Sequence, residues 1–223
     1  MTWHHVWKFR LLLAALLGLI AIQPAVGHGL NHVYYTTAWS FVLIVTIYAI
    51  SDIRWQRYVG WGFGSPILAG VWARHLLSES TGAKFQLVVF GLIAVFVAIV
   101  VVLVMRHLVM SEVTADNVAG AICAYLFLGL GMGMVYAIIE SVQAHSFQAA
   151  DHLADDLSDP IRRPAVLTYF SFVTLTTMGY GDMLPVTPLT RVLASLEAVA
   201  GQFYMAVLVA GLVGIRVSRR GIT

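Results

Sequence analysis

The chain has 223 residues, 60% of them hydrophobic and 11% charged, with a formal net charge of +2 and a mean hydropathy of +0.85. Soluble domains carry about 25% charged residues, so this composition excludes an ordinary soluble protein and indicates an integral membrane protein. The small net charge says little about partners, nucleic acid is not expected among them, and the one cysteine, Cys123, rules out an intrachain disulfide and supplies no metal framework.

A helix needs about 20 apolar residues to cross a bilayer, and six segments are candidates: roughly 9–26, 34–50, 59–77, 85–105, 118–139 and 190–215. The first, with Lys8 and Arg10 before a Leu-rich stretch and small residues at 25–27, also has the outline of a signal peptide; we read it as a retained helix, and its removal would leave the later spans oriented as before. In the third, no strand precedes Gly60, Gly62 and Gly64, so close helix packing, or a bend assisted by Pro66, is expected rather than a nucleotide-binding loop. The fourth contains no basic residue, Lys84 and Arg106 only bracketing it. A voltage sensor needs repeated arginines at such a place, each charge in the field being worth about 2.3 kcal/mol per 100 mV. Residues 1–107 therefore read as a peripheral four-helix bundle without a voltage sensor, joined by the polar stretch 106–117 to a second part over 118–216. In the fifth segment Gly129 and Gly133 have the Gly-x-x-x-Gly spacing that admits another helix closely. Residues 165–177 are too short to span and fit a re-entrant helix, tolerated at membrane depth only where protein or a water-filled cavity covers its ends.

Directly after that short segment, residues 174–182 read Thr-Leu-Thr-Thr-Met-Gly-Tyr-Gly-Asp. Glycine enters positive φ without steric cost, so the alternating Gly179 and Gly181 permit Thr177, Met178, Gly179 and Tyr180 to aim their carbonyls at one axis. A dehydrated cation needs such stacked rings of oxygens, with the Thr177 hydroxyl as a further rung. On these residues the chain resembles the tetrameric potassium-channel family: residues 165–216 are similar to its pore helix, filter and inner helix, and residues 118–140 to its outer helix. Thr176, Thr177, Gly179, Tyr180, Gly181, Asp182 and Pro185 stand where the family places them, and Gly201 lies where simple prokaryotic members carry a gating hinge. There are three departures. Met178 replaces a valine; Phe170 stands where many members have a tryptophan that braces the filter, leaving Thr174 as a partner for Tyr180; and Val173 stands where some members place a carboxylate that pairs with the residue at Asp182.

The resemblance implies an all-α membrane protein with six transmembrane helices, a re-entrant pore helix and a filter loop. Since one filter lines only a quarter of a pore, it implies a homotetramer in the lipid bilayer. Potassium would be the permeant ligand, held by Thr177, Met178, Gly179, Tyr180 and Gly181 with support from Thr174, Thr176, Asp182 and Glu197. No organic cofactor is implied. A weakly selective cation channel, and a non-conducting scaffold or accessory subunit of a transporter, are the other readings. An enzyme is not expected, because no nucleophile, base and orienter occur together.

Basic residues set the orientation. Lys8, Arg10, Arg54, Arg57, Arg106, Arg216, Arg219 and Arg220 fall on ends and loops that are cytoplasmic if both termini are inside a cell membrane, against Lys84, Arg162, Arg163 and Arg191 on the other side. The outer loop over 141–164 carries Asp151, Asp155, Asp156 and Asp159, readable as a cation-concentrating rim or as a solvated turret. His145 and His152 in that loop are candidates for a pH response or a divalent metal. Glu197 lies within the last span, where a carboxylate is costly and by default marks a functional site. A contact to the pore helix or to a neighbouring subunit is expected for it, the alternative being a wet position near the outer crevice.

Overall fold

The computed structural model describes residues 7–22, 32–51, 54–73, 79–110 and 115–220. In chain order they form α1 (Lys8–Ile22), α2 (His32–Ile50), α3 (Arg54–Ala73), α4 (Glu79–Met110), α5 (Ala115–Val142), β1 (Phe147–Ala149), α6 (Asp151–Ser158), α7 (Arg163–Leu175), β2 (Met183–Pro185) and α8 (Pro188–Arg220). Long apolar segments become helices because in lipid every backbone N–H and C=O must be satisfied within the segment. Among the described residues three helices are long and apolar enough to cross a membrane, over Phe85–Arg106, Asp116–Val142 and Pro188–Leu208, while Thr36–Ile50 is a shorter apolar helix. Of the other expected spans, residues 23–26 and 74–77 lie outside the described residues, and α3 opens on Arg54 and Arg57 and carries four glycines, which lowers its hydropathy.

Helix α5 is the hub, packing against α1, α4, α7 and α8, while α2 bridges α1 and α3 and α3 reaches α4. The glycines of α3 let its neighbours in: a Cβ on Gly60 or Gly64 would lie 3.1 or 2.5 Å from Ile47 of α2, one on Gly70 would lie 2.7 Å from Val89 of α4, and Gly62 faces open space. Asp116, at the start of α5, accepts from the backbone N–H groups of Phe9 and Arg10. These are donors that the first turn of α1 leaves without helical partners, so one carboxylate fastens the two helix starts together.

The loop over 141–164 carries regular structure. β1 pairs antiparallel with β2 in the register Phe147↔Pro185, Gln148↔Leu184 and Ala149↔Met183, and α6 follows with Leu157 buried. The ring of Phe147 is the reason the strand settles here. It packs edge-on against Tyr136 and Phe170, with centroids 5.3 and 5.2 Å away, geometry that aromatic quadrupoles favour.

Candidate functional site

The site is assembled on one stripe of α5. Tyr125, Gly129, Gly133, Tyr136 and Glu140 recur at intervals of four and three, which places them on a single helical face, and each touches the segment from β1 to α8. Tyr125 donates its hydroxyl to the carbonyl oxygen of Leu175 at 3.2 Å. Gly129 lies against the Phe172 ring, and a Cβ on Gly133 would stand 2.7 Å from Cα of Thr168. Phe172 and Thr168 are themselves four apart on α7, so the Gly-x-x-x-Gly pair is a seat for the short helix within the same chain. Glu140, buried, accepts from three consecutive backbone N–H groups, His145 at 3.0 Å, Ser146 at 2.9 Å and Phe147 at 3.1 Å, and so fixes the start of β1.

Pro164 stands in the first turn of α7 and presets its φ. The helix ends at Leu175, where the N–H and Oγ1 of Thr176 both donate to the carbonyl of Phe172, at 3.0 and 2.6 Å. The chain then turns back, Thr177 N–H donating to Thr174 O at 3.0 Å and Met178 N–H to Val173 O at 2.9 Å. Beyond this point every second residue has positive φ: Thr177 at 57°, Gly179 at 59° and Gly181 at 78°. In an extended chain consecutive carbonyls face opposite ways. A positive φ at alternate residues cancels that reversal and lets them face one side. Thr177 is β-branched, and such a residue in the left-handed region is strained; Gln202 of α8 donates to its hydroxyl at 3.3 Å.

Within one chain, residues 176–181 are all exposed, with Met178 at 60% and Tyr180 at 65%. Tyr180 makes no hydrogen bond to Thr174, and Met178 fills no gap in its own chain. With valine at position 173 there is no carboxylate to pair with Asp182, and the Tyr169 hydroxyl donates to the Asp182 carboxylate instead. Asp182 also accepts, through its backbone carbonyl, from Ala150 N–H at 2.8 Å, tying the loop to the strand pair. Phe170 has joined the aromatic cluster with Tyr136 and Phe147 instead of reaching the filter.

Glu197 is 4% exposed. Tyr136 donates to its Oε2 at 2.6 Å, and Ser171 of α7 is bonded to its Oε1. The carboxyl group thus joins α5, α7 and α8 behind the loop. Gly201 sits in an unbroken stretch of α8, and a Cβ there would strike the carbonyl oxygen of Leu175. Close approach to the end of α7 thus requires a residue without a Cβ at this position.

Two of the four aspartates in the loop over 141–164 are engaged: Arg162 pairs with Asp156 at 2.6 Å and with Asp159 at 3.0 Å, and these carboxylates hold its guanidinium above the ordinary arginine range. Among the described residues no three His, Cys, Asp or Glu side chains gather as a metal site. Tyr169, Ser171, Tyr136 and Glu140 are the residues that sequence reading passed over. For Tyr136 and Glu140 the signal was there, two polar groups four apart in an otherwise apolar span.

Residues 164–216, which run from the second residue of α7 through the loop and most of α8, match the family model described as an ion channel. No curated protein and no solved structure matches the chain. The C-terminal part of this mostly helical chain is accordingly similar to ion-channel domains, a likeness that supports ion conduction in general terms.

Proposed function

We propose that the chain is the subunit of a potassium-selective channel in which four copies surround one pore and all six long helices cross the cell membrane, with both termini cytoplasmic. The observation that carries this reading is the alternation of positive φ at Thr177, Gly179 and Gly181, directly after a helix too short to span. Carbonyls brought to one side in this way replace the hydration shell of a monovalent cation when four such loops converge. A tetramer is favoured by what one chain leaves uncovered. The loop side chains are exposed, and so is the row Leu189, Val192, Leu196, Val199, Phe203 and Val207 along α8, each at least half exposed. Tyr169 and Glu197 act as supports for the loop rather than as ligands of the ion.

The test is flux through liposomes that contain only the purified protein. Potassium and rubidium should pass while sodium and lithium are strongly excluded. Comparable sodium and potassium flux would favour a weakly selective cation channel, and a well-formed tetramer without flux, under all gating conditions tried, a scaffold or a transporter accessory subunit.

A further inference from the structure

Glu197 lies midway along the span Pro188–Leu208, and its surroundings can be read by counting hydrogens. Its two oxygens meet the hydroxyls of Tyr136 and Ser171. The Ser171 Oγ also lies 2.7 Å from the carbonyl oxygen of Gly129. A serine or tyrosine hydroxyl carries one hydrogen, and a carbonyl oxygen only accepts. If Glu197 were a carboxylate, two hydrogens would have to serve three contacts, and with Ser171 donating to Gly129 its contact to Glu197 would be left between two acceptors. One hydrogen on Glu197 completes the set.

The charged and titratable neighbours point the same way. From α5 the groups facing Glu197 are the hydroxyls of Tyr136 and Tyr125, with Glu140 one turn beyond and occupied by the N–H groups of residues 145–147. From α7 it is Ser171. On α8 itself, Arg191 is turned to the carbonyl of Pro185 at 3.2 Å. Among the described residues Glu197 has no ion pair, and an unpaired charge in so buried a place is costly.

We propose that Glu197 is a neutral carboxylic acid, a positioning residue whose hydroxyl donates to Ser171 and closes the relay Tyr136 to Glu197 to Ser171 to Gly129 that locks α8 and α7 onto α5. This holds whichever ion the pore selects. Infrared difference spectra of the full chain in lipid at neutral pH, parent minus Glu197→Gln, should show the C=O stretch of a protonated carboxyl. A pair of carboxylate bands in its place would overturn the proposal. Ser171→Ala removes the acceptor and should move that C=O stretch to higher frequency; an unmoved band would overturn the donor role. For assembly, Glu197→Gln keeps one donor and one acceptor on the same shape and should hold the oligomer dissociation constant near that of the parent, whereas Glu197→Ala strands the buried Tyr136 hydroxyl and takes away the donor to Ser171, and should weaken it by about tenfold or more. Equal weakening by Gln and Ala would show that the charge itself is needed, and would also overturn the proposal.

Discussion

Gly179 and Gly201 both lie in the segment that matches the ion-channel family model, yet the chain needs them for different reasons. A Cβ on Gly179 would meet nothing within 4 Å in its own chain, so what alanine costs there is the backbone at φ +59°, about 1–2 kcal/mol for an L-residue in the left-handed region. Relaxing that φ turns a carbonyl away from its neighbours. Gly179→Ala is therefore expected to abolish or degrade selective flux while the helical content of the protein, read by circular dichroism, stays as in the parent. Unchanged selectivity would show that the carbonyls do not depend on this residue. At Gly201 the obstacle is the carbonyl oxygen of Leu175, and alanine should displace α8 from the end of α7. Tyr169 offers a third kind of test. Its hydroxyl bonds the Asp182 carboxylate, and hydrogen bonds to charged groups contribute about 1.5–3 kcal/mol. Tyr169→Phe should shorten the conducting openings of single channels without altering assembly, and openings of parental length would remove the residue from the support of the loop.

At the scale of elements, α5 and α7 are held by a fit of small residues against large ones. Without a hydrophobic drive between helices in lipid, such close packing is a main source of association. Gly133→Leu would place a bulky side chain where Thr168 stands, its nearest atoms already 2.5–3.0 Å from a bare Cβ. Overpacking costs about 1–3 kcal/mol and more where backbone blocks relief. The variant should lose thermal stability and flux together, whereas Gly62→Leu in α3, where a Cβ meets nothing within 4 Å, should leave both near the parent; a fully stable Gly133→Leu would mean that α7 has room to move. The glycine spacing of α5 was legible from the sequence, and so were the short helix and the loop that follows it, because each is a local pattern. What the glycines face was not legible, since a spacing of four says that a partner approaches and not which one. The strand pair β1–β2 was equally hidden. Three residues on each side are below the length at which alternation can be read, and the pairing joins segments 36 positions apart in register at Gln148 and Leu184. Nor did Val173 reveal that the hydroxyl for Asp182 comes from one turn earlier, at Tyr169.

For the whole molecule, α4 packs mainly against α5, and what α4 carries decides how a membrane potential can act on it. Beyond the buried Gln86, whose amide donates to the carbonyl of Pro160, its face toward the core is apolar, with Val89, Ile93, Phe96, Val97, Val100, Leu103 and Val104 buried, and residues 85–105 contain neither lysine nor arginine. Arg106 lies exposed at the end of the span. Each elementary charge moved across the field contributes about 2.3 kcal/mol per 100 mV, so a helix without such charges gains almost nothing by moving. Glu197 as a neutral acid would add no gating charge either. Gating must then come from something other than a charged α4, and the conductance of reconstituted channels should change only weakly between strongly negative and strongly positive potentials. A steep, saturating conductance–voltage curve that requires several charges per subunit would refute this description of the bundle. The remedy in the opposite direction is equally specific. Introducing arginines at the exposed positions Val88, Val95 and Val102 of α4, all at least 49% exposed and separated by seven residues so that they share one face, would place charge in the field. If α4 is a fixed buttress against α5, those arginines should destabilise insertion or snorkel toward lipid headgroups and still leave the voltage dependence shallow.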